Sequence, residues 1–145
     1  MDYQASFAIG AAGMAVEKMR ADIASLNLAN ASTTRTADGR LYRAARLLTT
    51  SAPLSGFAAF MEGDTLAPLL PQAVGVTTID TPPRLLHEPG HPHADERGFV
   101  AYPGIDSLTE TVNIMTATRN YEANLLSISA ARTMALKTLE IGGSR

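Results

Sequence analysis

Cysteine and tryptophan are both missing from this chain of 145 residues. Without cysteine there are no disulfides, no thiolate metal sites and no cysteine nucleophile. Lysine is almost missing too: Lys18 and Lys137 stand against ten arginines. The formal net charge is -2 and the pI is near 5.9, so there is no global basic balance of the kind nucleic-acid binders carry. No apolar run approaches the roughly 20 residues that cross a bilayer as a helix. The nearest stretch to a signal-peptide core, Phe7 to Val16, has no basic segment before it and is followed at once by charge. It reads as mature protein. Proline is absent from both ends, because all eight prolines fall between positions 53 and 103.

The proline-free ends carry helical periodicity. From Tyr3 to Asn30, apolar or small residues recur at Ile9, Ala12, Val16, Met19, Ile23, Leu26 and then Asn30. Steps of three and four make this an a/d seam. Phe7, Met14, Ala21 and Leu28 form a second partial stripe. Gly10 and Gly13 cost an isolated helix up to about 1 kcal/mol each relative to Ala, but small side chains let another helix come close. From Ile105 to Ile141 a second helix is expected. Ser107 and Glu110 have capping-box spacing at its start, and Gly142 and Gly143 stop it. Leu108, Val112 and Met115 form one stripe, while Ile114, Ala117, Tyr121, Leu125 and Ile128 form another that continues through Ala131, Ala135 and Leu139. Both helices exceed the usual three-turn length.

Between them, residues 31–104 hold all the prolines and read as a small β-rich module with Pro/Gly loops. Candidate strands are Arg40 to Thr49, Val74 to Asp80, Arg84 to His87 and Gly98 to Tyr102, with an irregular connection from Gly56 to Pro71. The fold class is therefore α+β. Long N-terminal (1–30) and C-terminal (105–145) helices form an antiparallel coiled-coil-like pair around a small middle module. One helix pair cannot cover stripes on two faces of each helix, and a module this small cannot shield helices of about 40 and 55 Å. Neighbouring chains are the natural cover.

The stretch "SLNLANASTT" that ends the first helix resembles the Asn-rich signature of bacterial flagellar axial proteins, the rod and hook family. Three further stretches resemble its proximal-rod branch, the FlgC family: "TTRTADGRLYR", "EPGHPHADERGFVAYP" and "ATRNYEANLLSISAARTMALKTLEIG". Asn27, Ala29, Asn30 and Thr33 match the signature, and Tyr121, Glu122, Ala123 and Asn124 match its "YEAN". His93 and Gly104 depart from the pattern, which favours an acidic residue and an Asn there. The resemblance implies a structural subunit of the basal-body rod, the drive shaft that crosses the periplasm and transmits torque, and not an enzyme. It implies no cofactor or metal. Its partners would be copies of itself and other rod subunits, and the type III export apparatus in transit without a cleaved signal peptide, with no nucleic acid and no membrane insertion. The assembly interface would be carried by Ile9, Ala12, Val16, Met19, Ile23, Leu26, Asn27, Asn30, Leu108, Val112, Met115, Tyr121, Glu122, Asn124, Leu125 and Ile128.

Two clusters permit sharper readings. His87, His91 and His93 lie near Glu88 and Asp95 and would suit zinc, as a small metal-binding protein or metal-dependent enzyme. Pro89 and Pro92 forbid the helical zinc spacing there, and a rigid polar loop is the plainer reading. Arg35, Arg40, Arg43 and Arg46 surround Tyr42. In an acidic chain this basic cluster suits contacts between subunits, through the planar fork of arginine, better than nucleic acid.

Overall fold

A computed structural model describes residues 3–54 and 68–143. Among the described residues two helices bracket four strands: α1 (Tyr3–Ala29), β1 (Ala45–Pro53), β2 (Leu69–Thr78), β3 (Arg84–His87), β4 (Phe99–Tyr102) and α2 (Ser107–Gly143). The class is α+β, as the periodicity and the placing of proline require.

β1 pairs with β2, and β3 with β4, as two separate two-stranded sheets. The Ile79 amide donates to the Ala44 carbonyl at one end of the first ribbon, and the Leu54 amide to the Pro68 carbonyl at the other. These bonds make β1 and β2 antiparallel. β3 and β4 are antiparallel too, with Arg84 opposite Tyr102 and His87 opposite Phe99. Strand alternation gives that hairpin two unlike faces. Val100 lies on one and is fully buried, whereas Leu85 and Phe99 lie on the other and are exposed.

Two of the expected strands are displaced. β1 begins at Ala45 rather than Arg40, because Thr36 to Arg40 closes into a turn. There the Thr36 amide and hydroxyl both donate to the Arg40 carbonyl. β2 starts at Leu69, inside the stretch expected to be irregular. Pro71 is tolerated because each strand of a two-stranded sheet has an edge that needs no ladder donor. Residues 55–67 of that stretch lie outside the described residues.

The chain forms two compact units, and both helices contribute to each. One unit contains Met1–Met19, Thr49–Val74 and Ala117–Arg145. In it α1 and α2 approach very closely in opposite directions. A Cβ on Gly10 would lie 2.6 Å from Ile128 Cγ1, and one on Gly13 would lie 2.8 Å from Asn124 Nδ2. Ala5, Val16, Ala117 and Ala131 are buried there. The other unit contains Arg20–Leu48 and Gly75–Thr116. Ala24, Ala31, Ala44, Val100 and Pro103 are its buried apolar residues. Gly104 is required in this unit, because a Cβ there would collide with the Pro82 carbonyl oxygen.

The start of α2 differs from expectation. Asp106, not Ser107, is the cap: its Oδ1 accepts the Leu108 amide at 3.2 Å, and its Oδ2 accepts the Thr109 hydroxyl at 2.6 Å. These two bonds, the hydroxyl's above all, hold the Asp106 carboxyl below the usual carboxylate range. Glu110 is thereby freed for another task.

Candidate assembly surface

The end of α1 is organised by two asparagines of the "NLAN" stretch. Asn27 is 2% exposed. Its carboxamide pairs with the Ala45 backbone in both senses: Nδ2 donates to the Ala45 carbonyl, and Oδ1 accepts the Ala45 amide, each at 2.9 Å. Oδ1 also accepts the Tyr42 hydroxyl at 3.1 Å, and Nδ2 also donates to Glu110 Oε2 at 3.3 Å. One buried side chain thus ties the last turns of α1 to the start of β1 and the first turn of α2. Every polar atom of the carboxamide is engaged, which burial demands. Burial, and then the nearby Glu110 carboxylate, push the Tyr42 hydroxyl above its usual range.

Asn30 does a different job. Its Nδ2 and its backbone amide both donate to the Leu26 carbonyl, at 2.8 and 3.1 Å. Its Oδ1 accepts the Thr33 hydroxyl at 3.2 Å. The last helical carbonyls therefore find donors, and the chain turns away without glycine. Sequence reasoning placed both asparagines at the helix end but missed Tyr42 and Glu110 as partners. The available signal was a polar residue on a line of small ones: Asn27 shares the buried positions of α1 with Ala5, Gly10, Gly13, Val16 and Ala24.

The rest of the expected interface divides by exposure. Val16 is buried, and Ile9, Ala12, Ile23, Asn30, Asn124 and Ile128 are half-buried. Met19, Leu26, Leu108, Val112, Met115, Tyr121, Glu122 and Leu125 are exposed. Some are extreme for apolar side chains: Leu26 is 59% exposed and Leu108 is 72% exposed. Leu126, Met134, Leu136 and Leu139 extend the exposed apolar surface along α2. The helices bury small residues against each other and leave large ones in solvent. Apolar side chains this exposed are candidates for contact with a partner.

The histidine loop is built differently from a metal site. The His91 and Gly98 amides donate to the Glu88 and Asp95 carbonyls, and the Asp95 side chain accepts the Arg97 and Phe99 amides. Tyr102 donates its hydroxyl to Glu88 at 2.9 Å. That bond is the largest cause raising the Tyr102 hydroxyl above its usual range. His87 stacks edge-on against Phe99 instead of joining the other two histidines. Among the described residues no three His, Asp or Glu side chains converge on a point that could hold a metal ion. The arginine cluster is spread over a turn and β1, with Arg43 3.9 Å from Asp80.

Comparison with known proteins shows the family of the chain. The chain is 33% identical over 138 residues to the flagellar basal-body rod protein FlgC of Escherichia coli O6:H1, covering 94% of this chain and 95% of that one. It belongs to the FlgC family of flagellar basal-body rod proteins. The Salmonella typhimurium FlgC is 34% identical over 136 residues, with 94% and 95% covered. That of Bacillus subtilis is 31% identical over 145 residues, with 94% and 96% covered. A family model for the flagellar basal body rod FlgEFG protein C-terminal region matches residues 96–141. The match takes in β4, the Asp106 cap and nearly all of α2, and so most of the exposed apolar surface.

Proposed function

We propose that this chain is a structural subunit of the flagellar basal-body rod, joined to its neighbours through the exposed faces of α1 and α2. Large apolar side chains stand in solvent along both helices while the helix pair is closed by small residues. That observation carries the reading. A chain needing only its own core would place Leu108, Leu126 and Leu139 inward. Copies of itself and other rod subunits cover these faces, and the assembled shaft transmits torque across the periplasm. The flagellar type III export apparatus handles the chain in transit. Its work is mechanical and calls for no catalytic group or cofactor. Among the described residues no helix is long and apolar enough to cross a membrane, which suits a subunit whose apolar surface meets protein.

Mass spectrometry on purified hook–basal-body particles tests the proposal. The chain is expected as an integral component that survives detergent and high-salt washing. Its absence from intact particles overturns the reading.

A further inference from the structure

The loop from Glu88 to Gly98 meets the segment leaving α1 at one point, where Thr34 Oγ1 and His93 Nδ1 lie 2.8 Å apart. The position of His93 is in turn set by His91. The His93 backbone amide donates to His91 Nδ1 at 3.0 Å. This side chain to i+2 amide bond is the geometry of an Asx-turn, with an imidazole nitrogen in place of the Asn or Asp oxygen. Only a neutral ring with Nδ1 bare can accept that bond. The two imidazoles also meet edge to face, their centroids 5.3 Å apart, and His91 packs on Tyr102 at 6.4 Å.

We propose that His91 is a pH-dependent latch: neutral, it holds His93 against Thr34, and protonated, it releases the loop from the end of α1. A proton on Nδ1 sets two N–H groups against each other, and charging both rings places like charges side by side. Imidazole is the side chain suited to such a switch: acidification that charges the ring opens the latch. The charged and titratable groups around it are few. Glu88 accepts from Tyr102, Arg84 lies over the Tyr102 ring, and His87 stacks on Phe99. Asp95 is fixed on backbone amides, with Glu96 and Arg97 beside it in the turn and Arg35 next to Thr34. None of these donates to or accepts from His91 Nδ1 in place of the His93 amide.

Nitrogen-15 NMR on the purified full-length chain between pH 8 and pH 5 tests the latch. At pH 8, His91 is expected as the tautomer protonated on Nε2. On acidification the His93 amide and the Thr34 signals are expected to shift together, with the midpoint of His91 titration. In His91→Asn the side-chain oxygen accepts the same amide without titrating, so the part of both shifts that follows His91 should vanish, leaving only what the protonation of His93 itself causes. The proposal is overturned by a proton on His91 Nδ1 at pH 8, measured in the unaltered chain. It is also overturned if the Thr34 and His93 signals do not move, or if they move equally in His91→Asn.

Discussion

At the scale of single residues, the chain concentrates its polar chemistry in a few side chains that join segments. Asn27 satisfies the Ala45 amide and carbonyl, the Tyr42 hydroxyl and Glu110 together. Replacing it by Ala strands several buried groups, each costing about 1–3 kcal/mol. Asn27→Ala should therefore lower unfolding free energy by about 3 kcal/mol in a urea titration at pH 7, allowing for some rehydration. A loss below about 0.5 kcal/mol, the size of an ordinary surface substitution, would show that the network does not hold α1 to β1 and α2. Asp106 offers a second test, through pH. Its carboxyl is held below the usual range by bonds to Thr109 and Leu108, so the folded chain binds that proton less readily than the unfolded chain. Its contribution is complete above the unfolded carboxylate value of about 3.9 and is lost as pH falls through the depressed value. The urea midpoint should fall over that acid window. Asp106→Asn, which caps without titrating, should flatten that part of the profile. An unchanged profile in the variant would remove Asp106 as its source.

At the scale of elements, the two helices were legible and the rotation of the first was not. Long runs without proline and apolar steps of three and four sufficed to place α1 and α2, although Gly142 and Gly143, expected to stop α2, lie inside it. Of the expected seam of α1, Val16 is buried and Ile9, Ala12 and Ile23 are half-buried, while Met19 and Leu26 are exposed; the further buried positions Gly10, Gly13, Ala24 and Asn27 lie one residue beyond it. Pattern reading assigns bulky apolar residues to the inside, and here closeness of approach outweighs bulk. On α2 the second stripe divides: Ile114, Ala117, Ile128, Ala131 and Ala135 are buried or half-buried, whereas Tyr121, Leu125 and Leu139 are exposed. The β3 strand was legible to the residue, whereas β1 and β2 were blurred by the Thr36–Arg40 turn and by a proline tolerated at an edge. The histidine cluster pointed to a metal only as a string of letters; in space His87 turns to Phe99. The tight crossing predicts that Gly10→Val destabilises the fold by about 2 kcal/mol despite its gain in side chain, through overpacking against a stiff β-branched partner. Ile128→Ala should recover part of that loss in the double variant, with a coupling of about 1 kcal/mol between neighbouring sites. Independent, additive effects in thermal unfolding would show that the helices do not meet there.

At the scale of the whole molecule, the chain resembles a component more than a finished globule. Its buried apolar residues are mostly Ala, Val and Gly, while leucines and methionines line the outside of both helices. If the proposed assembly is right, these outward residues contribute little to the isolated chain and much to contacts between subunits, so folding and assembly should separate under mutation. Leu108→Glu and Leu126→Glu, at positions 72% and 70% exposed, should leave the urea midpoint within about 0.5 kcal/mol of the original, as surface changes usually do. The double variant should nevertheless fail to restore motility to a strain lacking the gene, and should be missing from its washed basal bodies. Burying an unpaired carboxylate at an apolar contact costs several kcal/mol at each site, enough to block incorporation without unfolding anything. Normal swimming with the double variant present in the rod would mean that this face of α2 is not where the neighbours sit, and Met19 and Leu26 on α1 would be the next positions to charge.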